Sequence, residues 1–121
     1  GVFNLSECNA TLLFVTLNKS DKDFSPSTQY NDYLINEHYF HWQSQNTDSH
    51  QNNGGQRYTK QADTQNKIIL FVREEKKDGY GNTCPFHCFG LVEYMSSHDD
   101  FPMNITWKLQ QPAMAQYVKA I

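Results

Sequence analysis

The stretch "KIILFVREE" (residues 67–75) decides the fold class. Ile68 to Val72 form a continuous apolar run rich in β-branched and aromatic residues, closed by Lys67 and by Arg73-Glu74-Glu75. The run is strand-sized, and its lack of alternation reads as a strand buried on both faces or central in a sheet.

Downstream, "KKDGYGNTCP" turns the chain through Asp78-Gly79, Gly81 and Pro85. "FHCFGLVEYM" (86–95) then returns antiparallel, and "SSHDDFP" makes a further turn. "MNITWKL" (103–109) alternates: Met103, Ile105, Trp107 and Leu109 face one way, Asn104, Thr106 and Lys108 the other, as in a half-buried strand. "PAMAQYVKAI" opens with Pro112 and reads as a short terminal helix.

Upstream, "QRYTK" (56–60) is a candidate strand, preceded by "NTDSHQNNGG", a polar loop expected to be mobile. "HWQSQ" is a strand; "NEHYF" starts at Asn36, a residue fit to cap one helical turn. "DYLI" (32–35) is a short strand, "NKSDKDFSPSTQYND" a loop, and "TLLFVTL" (11–17) a buried strand. About seven short strands with regular turn signals predict a mainly β, single-domain β-barrel or pseudobarrel with one or two short helices. No repeat or linker divides residues 1–121.

The chain has 121 residues, enough for one core, and its 38% hydrophobic and 14% aromatic content fills it. No apolar run approaches the ~18 residues of a membrane span, and "GVFNLSEC" lacks the pattern of a signal peptide. The expectation is a cytoplasmic piece of a longer protein, because "GVFNLSECNATLLFVTL" enters its first strand with little preamble. Three cysteines, Cys8, Cys84 and Cys88, are expected as reduced thiols. A net charge of −3 argues against gripping nucleic acid through bulk charge. Asn and Gln make up roughly one residue in six, and such amides can read base edges or sit in solvated loops.

In "FHWQSQ" (40–45), strand alternation puts Phe40, Trp42 and Ser44 on one face and His41, Gln43 and Gln45 on the other. The second set is either a recognition row, since Gln can pair bidentately with adenine, or a satisfied internal network. If "NNGG" is a hairpin, Gln56 and Arg57 return beside Gln43–Gln45; Arg57 would then clamp a guanine or phosphate, or pair internally with Glu74 or Asp32. Asn18, Lys19 and Lys22 in "NKSDK" suit phosphate contacts, or a solvated turn. "CPFHC" gathers Cys84, His87 and Cys88 but lacks a second cysteine pair for zinc, so no metal or cofactor is expected. Asp63 with Glu74-Glu75-Lys76-Lys77 imitates a nuclease site weakly and reads better as a charged strand end. No nucleophile elbow, Walker loop or dinucleotide fingerprint is present, so catalysis is expected in other domains and no small-molecule substrate here.

Segments 13–35, 40–45, 55–58, 69–74 ("ILFVRE"), 89–94 ("FGLVEY") and 102–109 ("PMNITWKL") together resemble the domain near the C-terminus of many bacterial superfamily II helicase-like proteins. Those proteins often carry a phospholipase-D-type nuclease domain at the other end. The resemblance implies aromatic and hydroxyl residues where this chain has "CPFHC", so it lends Cys84 and Cys88 no essential role. The resemblance implies a bacterial, cytoplasmic DNA-processing context in restriction or phage defence, and a β-pseudobarrel like the DNA-reading domains of some restriction enzymes. It transfers no catalytic or binding residues. The resulting expectation is a non-catalytic DNA-recognition module reading sequence or base modification for an attached helicase or nuclease. The alternative is a protein-interaction or structural domain docking on the helicase or a partner subunit.

Overall fold

The computed structural model describes residues 1–18 and 32–119. Seven strands form one mixed sheet: β1 (Val2–Leu5), β2 (Ala10–Asn18), β3 (Tyr33–Asn36), β4 (Tyr39–Gln43), β5 (Lys67–Glu75), β6 (His87–His98) and β7 (Asn104–Leu109). Three short helices accompany them: α1 (Asn53–Thr59), α2 (Gln61–Thr64) and α3 (Ala115–Val118). The strand order is β1-β2-β5-β6-β7-β4-β3, so the ladder is not closed, and β1 and β3 form its two edges. All neighbours are antiparallel except β2 and β5, which run parallel with Leu13 opposite Leu70.

β5 spans the stretch read from sequence and lies inside the sheet, between β2 and β6. Its Ile68, Leu70 and Val72 are fully buried beside Leu13, Val15, Val92, Ile105 and Trp107. Each such side chain contributes roughly 1.5–3 kcal/mol by leaving water. The alternation of β7 is observed: Met103, Ile105, Trp107 and Leu109 are buried and Lys108 is exposed. In β6, Gly90 takes φ +83° opposite Leu70, where the register shifts by one residue. That conformation needs glycine, and the resulting bulge lets both Phe89 and Val92 reach the core.

Three local expectations are corrected. "QRYTK" is not a strand: Gln56, Arg57 and Tyr58 lie in α1. Asn52 caps that helix by accepting the Gly55 N–H at 3.0 Å. Tyr58 is buried edge-on to Trp42 and Trp107, with ring centres 5.1 and 5.9 Å away. The stretch before it packs tightly, with Ser44, Asp48 and Ser49 buried. At Asn36 the chain makes a tight turn between β3 and β4, because the Asn36 side chain accepts from the N–H groups of His38 and Tyr39 at 2.8 and 3.1 Å.

Candidate functional site

The row beside Trp42 divides. Phe40, Trp42 and Ser44 are buried on the core side, as alternation requires. His41 does not project into solvent: it is buried and stacks on the Tyr33 ring at 4.6 Å. Asn104 lies opposite Gln43 on β7, and its Oδ1 accepts from Gln43 Nε2 at 3.0 Å. His41 Nε2 lies 3.1 Å from the same oxygen. The Asn104 amide nitrogen in turn donates to Asp99 at 3.1 Å. His41 and Gln43 thus belong to a part-buried polar network that spans two strands and ends on exposed Asp99, whereas Gln45 beyond the strand end is exposed.

Gln56 and Arg57 lie elsewhere, because their segment is helical. Asn53, Gln56, Arg57, Lys60 and Thr64 recur at helical spacing along α1 and α2, and this stripe faces the β1–β2 edge across a cleft of about 360 Å³. Asn4, Asn9, Thr11 and Asn66 line the opposite wall. The wall is held rigid: Asn66 Nδ2 donates to Thr11 Oγ1 at 3.1 Å, and Thr11 Oγ1–H donates to Asn4 Oδ1 at 3.1 Å. Asn9 Nδ2 closes one end by donating to the Thr64 carbonyl at 2.9 Å. Arg57 and Lys60 are the charged groups of this lining, so the cleft is positive inside a chain of net charge −3. Arg57 makes no ion pair among the described residues. Behind it, burial raises the Asp48 carboxyl above its ordinary range, while the Gln45 N–H and the Arg57 charge pull it down.

Asn18 sits at the end of β2 in a different cleft, beside Asp32 and Glu74. Two carboxylates there disfavour phosphate. Lys19 and Lys22 lie outside the described residues. Arg73 is engaged structurally: it donates to Thr16 Oγ1 and the Cys84 carbonyl and lies over the Phe86 ring. His87 pairs with Tyr117 Oη at 2.8 Å, and the three cysteines are free thiols. Among the described residues no three His, Cys, Asp or Glu side chains converge as metal ligands, and no helix is long and apolar enough to cross a membrane.

Sequence reading missed Lys60, Asn66 and Asn4. Lys60 stands three residues after Arg57, a spacing that carries meaning only once the segment is known to be helical. The cleft is built from residues 4–66, and Tyr58 of α1 packs on Trp42 and Trp107. The family comparison spans all of these residues. The chain belongs to the family Domain of unknown function (DUF3427), which matches residues 1–120. The cleft and the β4–β7 network are therefore both features within the DUF3427 region. No curated protein matches the chain.

Proposed function

We propose that this DUF3427 domain is a DNA-recognition module, and that the cleft between the β1–β2 edge and α1–α2 is its contact surface. The observation that carries the reading is the meeting of Arg57 and Lys60 with Gln56 and a fixed amide wall. Arg and Lys contact phosphates or guanine, and Gln and Asn pair with adenine edges, so one surface can both position and discriminate. Lys19 and Lys22 would add phosphate contacts, and exposed Gln45 a further amide. The resemblance to domains attached to helicases and nucleases supports a role in directing such an enzyme to its target, in restriction or phage defence.

Fluorescence anisotropy of the folded chain with duplex and single-stranded DNA, methylated and plain, at low salt tests this. Binding that weakens when Arg57 and Lys60 are replaced by alanine is expected. A folded protein that binds none of these DNAs overturns it.

A second reading, docking on a partner domain, is favoured by the sheet's other face. Phe3, Leu12, Ile69 and Leu91 lie opposite one another across four adjacent strands, and Phe14 stacks on Phe71 at 5.0 Å beside them. Phe3 and Leu91 are exposed. Co-purification with the helicase part of the same protein, lost on Phe3→Ser and Leu91→Ser, would support it.

A further inference from the structure

His50, Ser97, Asp100 and Tyr94 form a hydrogen-bonded chain that the cleft does not use. Asp100 Oδ1 accepts both the backbone N–H of His50 at 2.7 Å and its Nδ1–H at 2.8 Å. In the neutral imidazole that places the ring proton on Nδ1 and leaves a lone pair on Nε2. Nε2 lies 2.6 Å from Ser97 Oγ, so the serine hydroxyl donates to it. Tyr94 Oη is 2.6 Å from the same Oγ, whose own proton is committed to His50, so the phenol donates to the serine.

The backbone sets up this meeting. Residues three apart in an unbroken strand face opposite sides of the sheet. Between Tyr94 and Ser96 the β6–β7 register shifts by one residue, and this shift brings the Tyr94 and Ser97 hydroxyls together. Such bulges re-aim side chains and are over-represented next to active sites. Ser97 and Tyr94 are half-buried on a paired strand; His50 and Asp100 have side chains 35% and 44% exposed, open to a small substrate. The Asp100 carboxyl is held below its ordinary range by the two His50 hydrogen bonds, so it is ionised beside the imidazole at neutral pH.

We propose that Ser97 is an activated nucleophile that accepts acyl groups from short esters, with His50 as general base, Asp100 as the positioning residue for His50, and Tyr94 as donor to the developing oxyanion. Ser97 Oγ attacks the ester carbonyl carbon, forming a C–O bond as its proton passes to His50 Nε2. The carbonyl oxygen gains the electron pair and accepts from Tyr94 Oη–H. Collapse breaks the ester C–O bond, and the alcohol leaves with the proton from His50. Water then gives a proton to His50 Nε2 and bonds to the acyl carbon; the Ser97 Oγ–C bond breaks, Oγ takes the proton back from His50, and the carboxylic acid leaves. The constellation is recognised by geometry and roles and recurs on unrelated folds, so the absence of a sequence signature does not count against it.

The test is labelling of the folded 121-residue chain with a fluorophosphonate, which forms a P–O bond to an activated serine and expels fluoride, read by intact mass and peptide mapping. p-Nitrophenyl acetate hydrolysis is followed in parallel. One adduct on Ser97 is expected, absent in Ser97→Ala. His50→Gln keeps polar contacts but supplies no base, and should slow labelling at least tenfold with an unchanged circular dichroism spectrum. Asp100→Asn should slow it as well, and Asp100→Glu should recover part of the rate. No adduct on folded wild-type protein, an adduct at another residue, or full-rate labelling of His50→Gln each overturns the proposal. Should Ser97→Ala fail to fold, the wild-type and His50→Gln measurements decide.

Discussion

Gln43 Nε2 donates to Asn104 Oδ1 at 3.0 Å, and the two residues are register partners on β4 and β7. That bond ties Gln43 to its neighbour strand, whereas Gln45 of the same stretch is exposed. His41 shares the same oxygen and lies beneath the Tyr33 ring, so the imidazole is a structural member of the sheet. Under the proposed function, base contact would fall to the cleft beside α1, where Gln56 and Arg57 lie.

Asn104→Ala removes the acceptor shared by Gln43 and His41. The expected cost is about 0.5–1.5 kcal/mol, the net contribution of a typical intramolecular hydrogen bond, because these groups are only part-buried and water replaces some of what is lost. Thermal unfolding should drop by several degrees, while DNA affinity of the folded fraction is unchanged. A large affinity loss without a stability loss would return the reading face to β4.

Gly55→Ala should be more damaging. A Cβ at Gly55 collides with the Ser49 carbonyl, which is backbone and cannot move aside cheaply. α1 must shift, and with it Tyr58 between Trp42 and Trp107. A destabilisation at or above the ~1–3 kcal/mol typical of overpacking is expected by denaturant titration. At Gly54 the obstacle is the Asp48 side chain, so Gly54→Ala should cost less.

Stability should depend on pH with two opposed signs. Asp78 and Asp100 are held below the ordinary carboxyl range, Asp78 by the N–H groups of Asn82 and Tyr80 and Asp100 by His50. Their contribution is present above the unfolded value of about 3.9 and is lost as pH falls through the lower folded values. Asp48 is raised by burial, so its contribution is present below about 3.9 and is lost as pH rises through the raised folded value. Asp48→Asn keeps an acceptor for the Gln45 N–H and removes that charge. Denaturation midpoints should then rise at pH 7 relative to pH 4, whereas Asp100→Asn should flatten the loss below pH 4.

The strands were legible because their apolar pattern is local. Val72 and Trp107 are core residues wherever their strands pair. β1 escaped notice because "VFNL" leaves Phe3 and Asn4 exposed on a sheet edge. The parallel pairing of β2 with β5 is set by a long crossover that no turn signal announces. α1 was misread because Gly54-Gly55 resembles a hairpin turn. In fact these glycines let the helix approach Asp48 and Ser49, and Asn52 was its cap. The cleft followed that error: its cationic wall has helical spacing, and its amide wall joins Asn4, Asn9 and Thr11 from the start of the chain to Asn66 just after α2. The chain of His50, Ser97 and Asp100 was invisible for the same reason, since it depends on a one-residue bulge and a tertiary contact.

Salt dependence separates the cleft's cations from its amides. Each neutralised phosphate on duplex DNA contributes about −0.9 to the slope of log affinity against log salt. Arg57 and Lys60 together should then give a slope of about −2, which is roughly a tenfold loss of affinity between 50 and 200 mM salt. Lys60→Ala should weaken all sequences alike and reduce the slope by about one. Arg57→Ala does the same if the guanidinium holds phosphate; if it holds guanine, it costs ~1–3 kcal/mol at one base and leaves the slope nearly intact. Gln56→Ala should leave the slope unchanged in either case. A wild-type slope unaffected by both cation replacements would place the phosphate contacts outside this cleft, with Lys19 and Lys22 the next residues to replace.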